Sequence, residues 1–255
     1  MKKFILFFVF VLPAIIVKAQ EGYNYKEFAI GLDLSYERGY TNVQRQDNHI
    51  SENVNFTYNY SPYIPVTAEL QFGTLSGGGL TPKTDRYGRQ YSNQYEAFLV
   101  HADFQLGEVI DYSESDLLNI VKNLYFGSGI GFVFNNNTVQ RTNIYYGEPG
   151  LPGGGKYPNY GSKDYVFPGS DNSINLTIPL RFGYEFKIYN DFQEPYMAID
   201  LGYVHNLVFG EGLDGYDDPS NKFKNNATNQ YRQITIGVKF NFGNITSFNK
   251  LIRRF

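Results

Sequence analysis

The 255-residue chain predicts an all-β fold: a transmembrane antiparallel up-and-down β-barrel of eight strands, with one short helix. Three observations carry this expectation. The composition is that of strands and turns, with Tyr 23, Phe 22 and Gly 26 against two Met. Apolar residues recur at every second position in eight separate segments. Most of those segments outrun the roughly 5–6 residues of a soluble strand and reach the 9–11 that a tilted strand needs to cross a bilayer. The low mean hydropathy excludes only a bundle of apolar helices, because half of each barrel strand faces a polar interior.

The first residues are set apart from the rest. Lys2 and Lys3 precede an apolar run of 14 residues, Phe4 to Val17, with small residues at Val17 and Ala19. A membrane-spanning helix needs about 20 apolar residues, so a cleaved secretory signal over 1–19 is favoured over a retained anchor. The expected organisation is then a signal at 1–19, a barrel domain at 20–242 and a short basic periplasmic tail at 243–255 with Lys250, Arg253 and Arg254. Loss of Lys2, Lys3 and Lys18 moves the net charge from -3 to -6, and no basic face suited to nucleic acid remains. Zero cysteines exclude thiol catalysis, thiolate metal sites, disulfides and attachment of lipid to a lipoprotein cysteine.

Taken in order, Phe28–Tyr40 sets Phe28, Ile30, Leu32, Leu34 and Tyr36 against Ala29, Gly31, Asp33, Ser35 and Glu37. Asn53–Tyr60 sets Val54, Phe56, Tyr58 and Tyr60 against Asn and Thr. In Pro65–Gly73, Leu70 and Phe72 alternate with Glu69 and Gln71, and in Tyr95–Gly107, Phe98, Val100 and Phe104 alternate with His101, Asp103 and Gln105. Leu124–Phe134 places Phe126, Ile130 and Phe132 opposite Gly127, Gly129 and Gly131. The clearest segment, Ser173–Phe186, carries Ile174, Leu176, Ile178, Leu180 and Phe182 on one face and Arg181 and Glu185 on the other. Pro195–Phe209 and Tyr231–Phe242 complete the set. A soluble barrel with its apolar faces turned inward is the competing architecture. It fits poorly, because the charges Asp33, Glu37, Glu69, Asp103, Arg181, Glu185, Asp200 and Lys239 gather on the small, polar face.

Connection lengths alternate. Residues 41–52, 74–94, 135–172 and 210–230 are long and polar, whereas 61–64 and 187–194 are short, which predicts periplasmic termini and outer long loops. The exception is 108–123, where Ser113 to Asn123 reads as a capped amphipathic helical turn. Either Leu117, Leu118 and Val121 dip into the inner headgroup layer, or the turn covers the barrel base.

The last segment reads Thr235-Ile236-Gly237-Val238-Lys239-Phe240-Asn241-Phe242, with a polar residue, a glycine two on, and aromatics at alternating closing positions. It resembles the terminal-strand signal bound by the outer-membrane barrel assembly machinery, so Thr235, Gly237, Phe240 and Phe242 are the expected assembly residues. Ser61-Pro62-Tyr63-Ile64-Pro65, Glu69-Leu70-Gln71-Phe72-Gly73 with Leu75-Ser76-Gly77, and Phe209-Gly210-Glu211-Gly212-Leu213-Asp214-Gly215-Tyr216 extend the likeness. The mature chain resembles small eight-stranded outer-membrane barrels of the OmpA/OmpX type, in particular Bacteroidota-like ones. The resemblance implies outer-membrane lipid as surroundings and a Gram-negative cell envelope. It leaves activity open, since the type includes adhesive, secretion-accessory, enzymatic and structural members, and a small barrel of type IX secretion shares the strand plan.

Candidate chemistry centres on the inward charges. Asp33, Glu37, Glu69, His101, Asp103, Arg181, Glu185, Asp200 and Lys239 are expected to form a polar network that plugs an interior only wide enough for side chains. A narrow pore is the alternative. His101 and Asp103, two apart on one strand face, offer a base and its orienter for a membrane hydrolase or acyltransferase, but no serine partner is identifiable. Gly77-Gly78-Gly79 lacks the Lys-Ser/Thr of a phosphate loop. Asp214-Gly215-Tyr216-Asp217-Asp218-Pro219 lacks calcium-loop spacing and is expected to be a solvated turn. Residues 135–172, with Tyr145, Tyr146, Tyr157, Tyr160 and Tyr165 among Gly and Asn, suit an adaptable binding surface. The leading expectation is a non-enzymatic outer-membrane barrel without cofactor or metal, structural in the envelope or recognising a surface partner through its loops. A transport or secretion-accessory barrel is the second.

Overall fold

A computed structural model closes the chain into one antiparallel barrel, in which each strand pairs with its sequence neighbours and the last returns to the first. The structure describes residues 24–81, 83–85, 88–112, 115–142, 166–210, 212–215 and 229–248. The strands are β1 (Asn24–Tyr40), β2 (Asn48–Ser61), β3 (Ile64–Gly78), β4 (Arg89–Gln105), β5 (Leu124–Thr142), β6 (Val166–Tyr189), β7 (Pro195–Phe209) and β8 (Gln230–Ser247). A 3-10 turn at Leu106–Glu108 and the helix α1 (Asp116–Val121) lie between β4 and β5. The signal segment, the loop tyrosines between 145 and 165, Tyr216 to Pro219 and the basic residues of the tail lie outside the described residues.

The alternation seen in the sequence becomes an inside and an outside. Ile30, Leu32, Leu34 and Tyr36 of β1, Phe126, Ile130 and Phe132 of β5, and Ile234, Ile236 and Phe240 of β8 project outward and are exposed. Their intervening neighbours Asp33, Ser35, Glu37, Gly127, Gly131, Gln233 and Thr235 are buried in the lumen. Closure gives every strand a partner on both sides through the middle of the barrel, whereas β6 before Leu176 pairs with β5 alone and β8 beyond Phe240 with β1 alone.

Several strands run further than expected. β2 begins at Asn48, β3 continues to Gly78, β4 begins at Arg89, and β5 and β6 pair as far as Thr142 and Val166. The connections 41–52, 74–94, 135–172 and 210–230 therefore shorten to 41–47, 79–88, 143–165 and 210–229. Polar runs such as Asn135-Asn136-Asn137 stay in the ladder because its hydrogen bonds belong to the backbone; polarity marks where the outside turns wet, not where pairing stops. β6 alone has 24 residues, about 80 Å of extended chain, against a hydrocarbon thickness of about 30 Å. At the other end β8 runs on through Ser247, so the first five residues assigned to a tail, 243–247, complete the wall beside Asn24 to Lys26. β4 stops at Gln105 instead of Gly107, where the chain tightens into the 3-10 turn.

Helix α1 has six residues, and its N-cap is Ser115, whose Oγ accepts the Leu118 amide at 3.4 Å. Leu117 points away from the barrel and is exposed, whereas Leu118 packs with Ile110 on a cluster of Tyr25, Tyr63, Tyr112 and Phe248. The helical turn is thus part of the cover over the barrel base.

Candidate functional site

The lumen is the site to which the charged residues converge, and it is filled in layers. At the base, the Tyr63 hydroxyl donates to the Tyr112 oxygen at 2.8 Å, and Phe248 meets the Tyr63 ring edge-on at 5.7 Å. Burial, reinforced by Tyr112, pushes the Tyr63 phenol above its ordinary pKa. Lys187 Nζ stands 4.5 Å over the Tyr63 ring and donates to Gln105 Oε1 at 2.7 Å and to the Pro62 carbonyl.

Above this cover sits the charged layer. Arg181 of β6 sends its Nε to Asp103 Oδ1 of β4 at 3.1 Å and its Nη1 to Glu69 Oε2 of β3 at 3.3 Å. His101 lies between the same two carboxylates, with Nε2 3.2 Å from Glu69 Oε2 and Nδ1 3.4 Å from Asp103 Oδ1, the second contact lacking hydrogen-bond geometry. Further along β6 from Arg181, Glu185 is paired with Lys239 of β8. The Tyr125 hydroxyl donates to Asp200 Oδ2 at 3.0 Å, and Asn55 Nδ2 donates to Asp33 Oδ2 at 2.9 Å. All these groups are buried or nearly so, and removing one partner of such a pair would strand the other's charge.

Glycines make this layer possible. Gly127 of β5 lies in register with both Asp103 and Arg181, so the ion pair closes over a position without a side chain. Gly237 of β8 lies likewise between Asp33 of β1 and Asp200 of β7. A Cβ at either glycine would run into the adjacent aspartate.

Glu37 meets that layer only through intervening amides. Its carboxylate accepts the Tyr95 hydroxyl at 2.5 Å, the Thr74 amide at 3.1 Å and Gln233 Nε2 at 3.3 Å, in a storey of neutral groups completed by Gln71, Ser51 and Tyr231. Amides connect it to the charged residues: Gln233 contacts both Glu37 and Gln71, and Gln71 Nε2 donates to Glu69 Oε1 at 2.6 Å, while Glu37 itself stands four residues along β1 from Asp33. Four residues of strand are about 13 Å, beyond direct contact.

The outer part of the lumen holds an apolar cluster among buried polar groups such as Asn93 and Asn137, which the sequence reading missed. Val43, Leu75, Tyr91, Tyr95, Val133, Val139, Val208, Leu213 and Tyr231 form one buried cluster. Val43 and Leu213 come from connections that fold inward. Asp214, expected in a solvated turn, is fully buried and accepts the Asn42 amide at 3.1 Å. Arg89 and Asp85, also buried, pair at 3.3 Å, and Arg89 Nη2 donates to the Asn42 carbonyl at 2.8 Å. The sequence signal was present in the alternation of Tyr91, Asn93 and Tyr95, which continues the strand into the segment assigned to a loop.

The expected assembly residues divide by face. Thr235 and Gly237 point into the lumen, whereas Phe240 and Phe242 are exposed on the wall. Phe242 stacks near Phe28 at 6.0 Å and Phe56 at 6.4 Å, across the seam between the first and last strands. His49 and His205 stand apart from His101, contacting Ser76 Oγ at 2.7 Å and Gln230 Oε1 at 2.8 Å. Among the described residues, no group of His, Cys, Asp and Glu is arranged to hold a metal.

No family model matches the chain, and no curated protein matches it either. Solved structures do. The attachment invasion locus protein Ail of Yersinia pestis is 11% identical with a TM-score of 0.44, covering 86% of this chain and 99% of that one. CarO of Acinetobacter baumannii is 12% identical with a TM-score of 0.41, covering 82% of this chain and 97% of that one. Neisserial surface protein A is 11% identical with a TM-score of 0.40, covering 85% of this chain and 97% of that one.

Proposed function

We propose that this chain is an integral outer-membrane β-barrel protein, non-enzymatic, with both termini in the periplasm and a role in envelope structure or surface recognition. The observation that carries the reading is the inversion of polarity. Leu32, Ile130 and Ile236 face outward on a closed wall, while the ion pairs of Arg181 and Lys239 are enclosed within it. In water that exterior would be a large exposed apolar surface; in lipid it is solvated, and closure of the ring pairs each strand with both neighbours across the apolar belt.

The filled lumen supports a wall over a channel. Base aromatics, charged layer, neutral storey and apolar outer plug follow one another along the axis. His101 supports the non-enzymatic reading, because its Nε2 is taken up by Glu69 and neither ring nitrogen hydrogen-bonds a hydroxyl. On this reading the extended outer strands present the connections to the exterior, as in the Bacteroidota-like OmpA/OmpX-type barrels that the motifs resemble. Thr235, Gly237, Phe240 and Phe242 then serve the assembly machinery.

The test is insertion and conductance of the refolded protein. A folded barrel is expected to migrate differently in SDS gels before and after boiling, to insert into phosphatidylcholine vesicles, and to give no conductance steps in planar bilayers. Exclusion from vesicles would overturn the membrane placement, and regular conductance steps would overturn the sealed lumen.

A further inference from the structure

On the outside of the wall, just beyond the apolar belt, three basic side chains stand in one row. Arg38 of β1 is directly opposite Arg232 of β8, and Arg232 is directly opposite His205 of β7. The row below is Tyr36, Ile234 and Tyr203, all exposed, so the arginines sit about 7 Å further along the strands than the last apolar row. Like charges placed directly opposite on one sheet face repel. Among the described residues neither arginine has a carboxylate within ion-pair distance, although Arg45 nearby is neutralised by Asp47 at 3.0 Å.

The arrangement is also shaped. Both guanidinium groups lie over the Tyr40 ring, at 5.8 Å for Arg38 and 5.1 Å for Arg232, so one aromatic side chain contacts both forks. Arg38 Nε is buried and has no hydrogen-bond partner. Arg38, Tyr40, Gln44, His205, Gln230 and Arg232 line an open recess of about 590 Å³ that reaches the β1–β2 connection. Two neighbouring guanidinium forks, one with a spare donor, suit the oxygens of a phosphate group, to which arginine binds bidentately.

We propose that Arg38, Arg232 and Tyr40 form a binding site for the phosphate of an anionic lipid headgroup in the outer leaflet. This rests on the outer-membrane reading above, which puts the long connections, and hence this end of the wall, outside. The lipid's chains would lie along Tyr36, Ile234 and Leu34, and its phosphate would relieve the repulsion between the paired arginines. The site would hold the barrel at a set depth and recruit a shell of phosphorylated lipid around the β7–β8–β1 side.

Native mass spectrometry of the folded barrel released from detergent micelles tests the proposal, with bisphosphorylated lipid A, phosphatidylcholine and inorganic phosphate as separate probes. Folding is checked first by the shift on boiling. The wild type is expected to retain lipid A and not phosphatidylcholine, and the R38Q/R232Q double variant to lose at least about tenfold in lipid A retention. R38K/R232K, which keeps both charges but not the forks, is expected to fall between them. Equal retention by wild type and R38Q/R232Q would overturn the site. Displacement of lipid A by inorganic phosphate at comparable concentration would overturn the lipid assignment in favour of free phosphate. Vesicle insertion is read separately, so a protein that binds lipid A in micelles but fails to insert contradicts the membrane placement and not the site.

Discussion

Arg181 reaches Asp103 across a strand that offers no side chain between them: Gly127 of β5 is in register with both residues, and the guanidinium meets the carboxylate at 3.1 Å above it. The same device recurs where Tyr125 passes Gly183 and Gly202 to reach Asp200. Long side chains lie flat against the inner wall because alternate positions on the neighbouring strand are empty. Strength in this lumen therefore depends on glycines as much as on charges.

Substituting Gly127 tests that dependence directly. Gly127→Val should push Asp103 aside and leave Arg181 with Glu69 alone. A loss comparable to that of Arg181→Met is expected, about 3–5 kcal/mol for a buried pair deprived of one partner. Urea unfolding in lipid vesicles, followed by tyrosine fluorescence, measures both variants. An unchanged midpoint for Gly127→Val would show that the pair does not need the gap.

The outward belt makes a positional forecast. Leu32, exposed on β1 well inside the belt, should tolerate Leu32→Arg poorly, with a cost of about 2–4 kcal/mol. Ile245, opposite Lys26 near the strand ends, should accept Ile245→Arg at about 0–1 kcal/mol. Equal costs in vesicle unfolding would mean that no hydrocarbon surrounds the barrel.

Phe242 couples the two terminal strands through Phe28 and Phe56. Phe242→Ala is expected to lower the amount of inserted barrel in cells more than the refolding yield in detergent, if the residue serves assembly as well as packing. Parallel losses in both settings would assign it to packing alone. Boiling-shift gels on membrane fractions and on refolded protein provide the two readouts.

Phe248 closes the base by packing edge-on against Tyr63. Truncation after Ser247 should leave the wall intact, since every strand pairing is retained, yet free the Tyr63–Tyr112 cluster and loosen the β4–β5 connection. Limited proteolysis should then cut within residues 108–115 while the boiling shift persists. Unchanged protection would show that α1 and Leu118 hold the cover without Phe248.

The wall was legible in the sequence because a barrel strand has one simple rule, a period of two between lipid and lumen, and Ile174 to Phe186 or Phe28 to Tyr36 obeys it without interruption. The rule fades at the outer end. There both faces of Ser92 to Gln94 and Asn135 to Asn137 are polar, so the strands looked like loops although their amides stay paired. The nine lumen residues were recognisable by face, but their grouping was not, since Glu37 and Asp33 share a strand and a side and differ in level.

By itself, then, the amino-acid order determined the fold class, the inward set of charges and the outward set of apolar groups, all properties of residue spacing along one strand. Only the tertiary structure decided which charges meet, that Leu213 and Val43 plug the outer lumen, and that Arg38 and Arg232 stand side by side. The reason is register. Which residue of one strand faces which residue of the next is set by connections and closure around the whole ring, and no single segment contains that information.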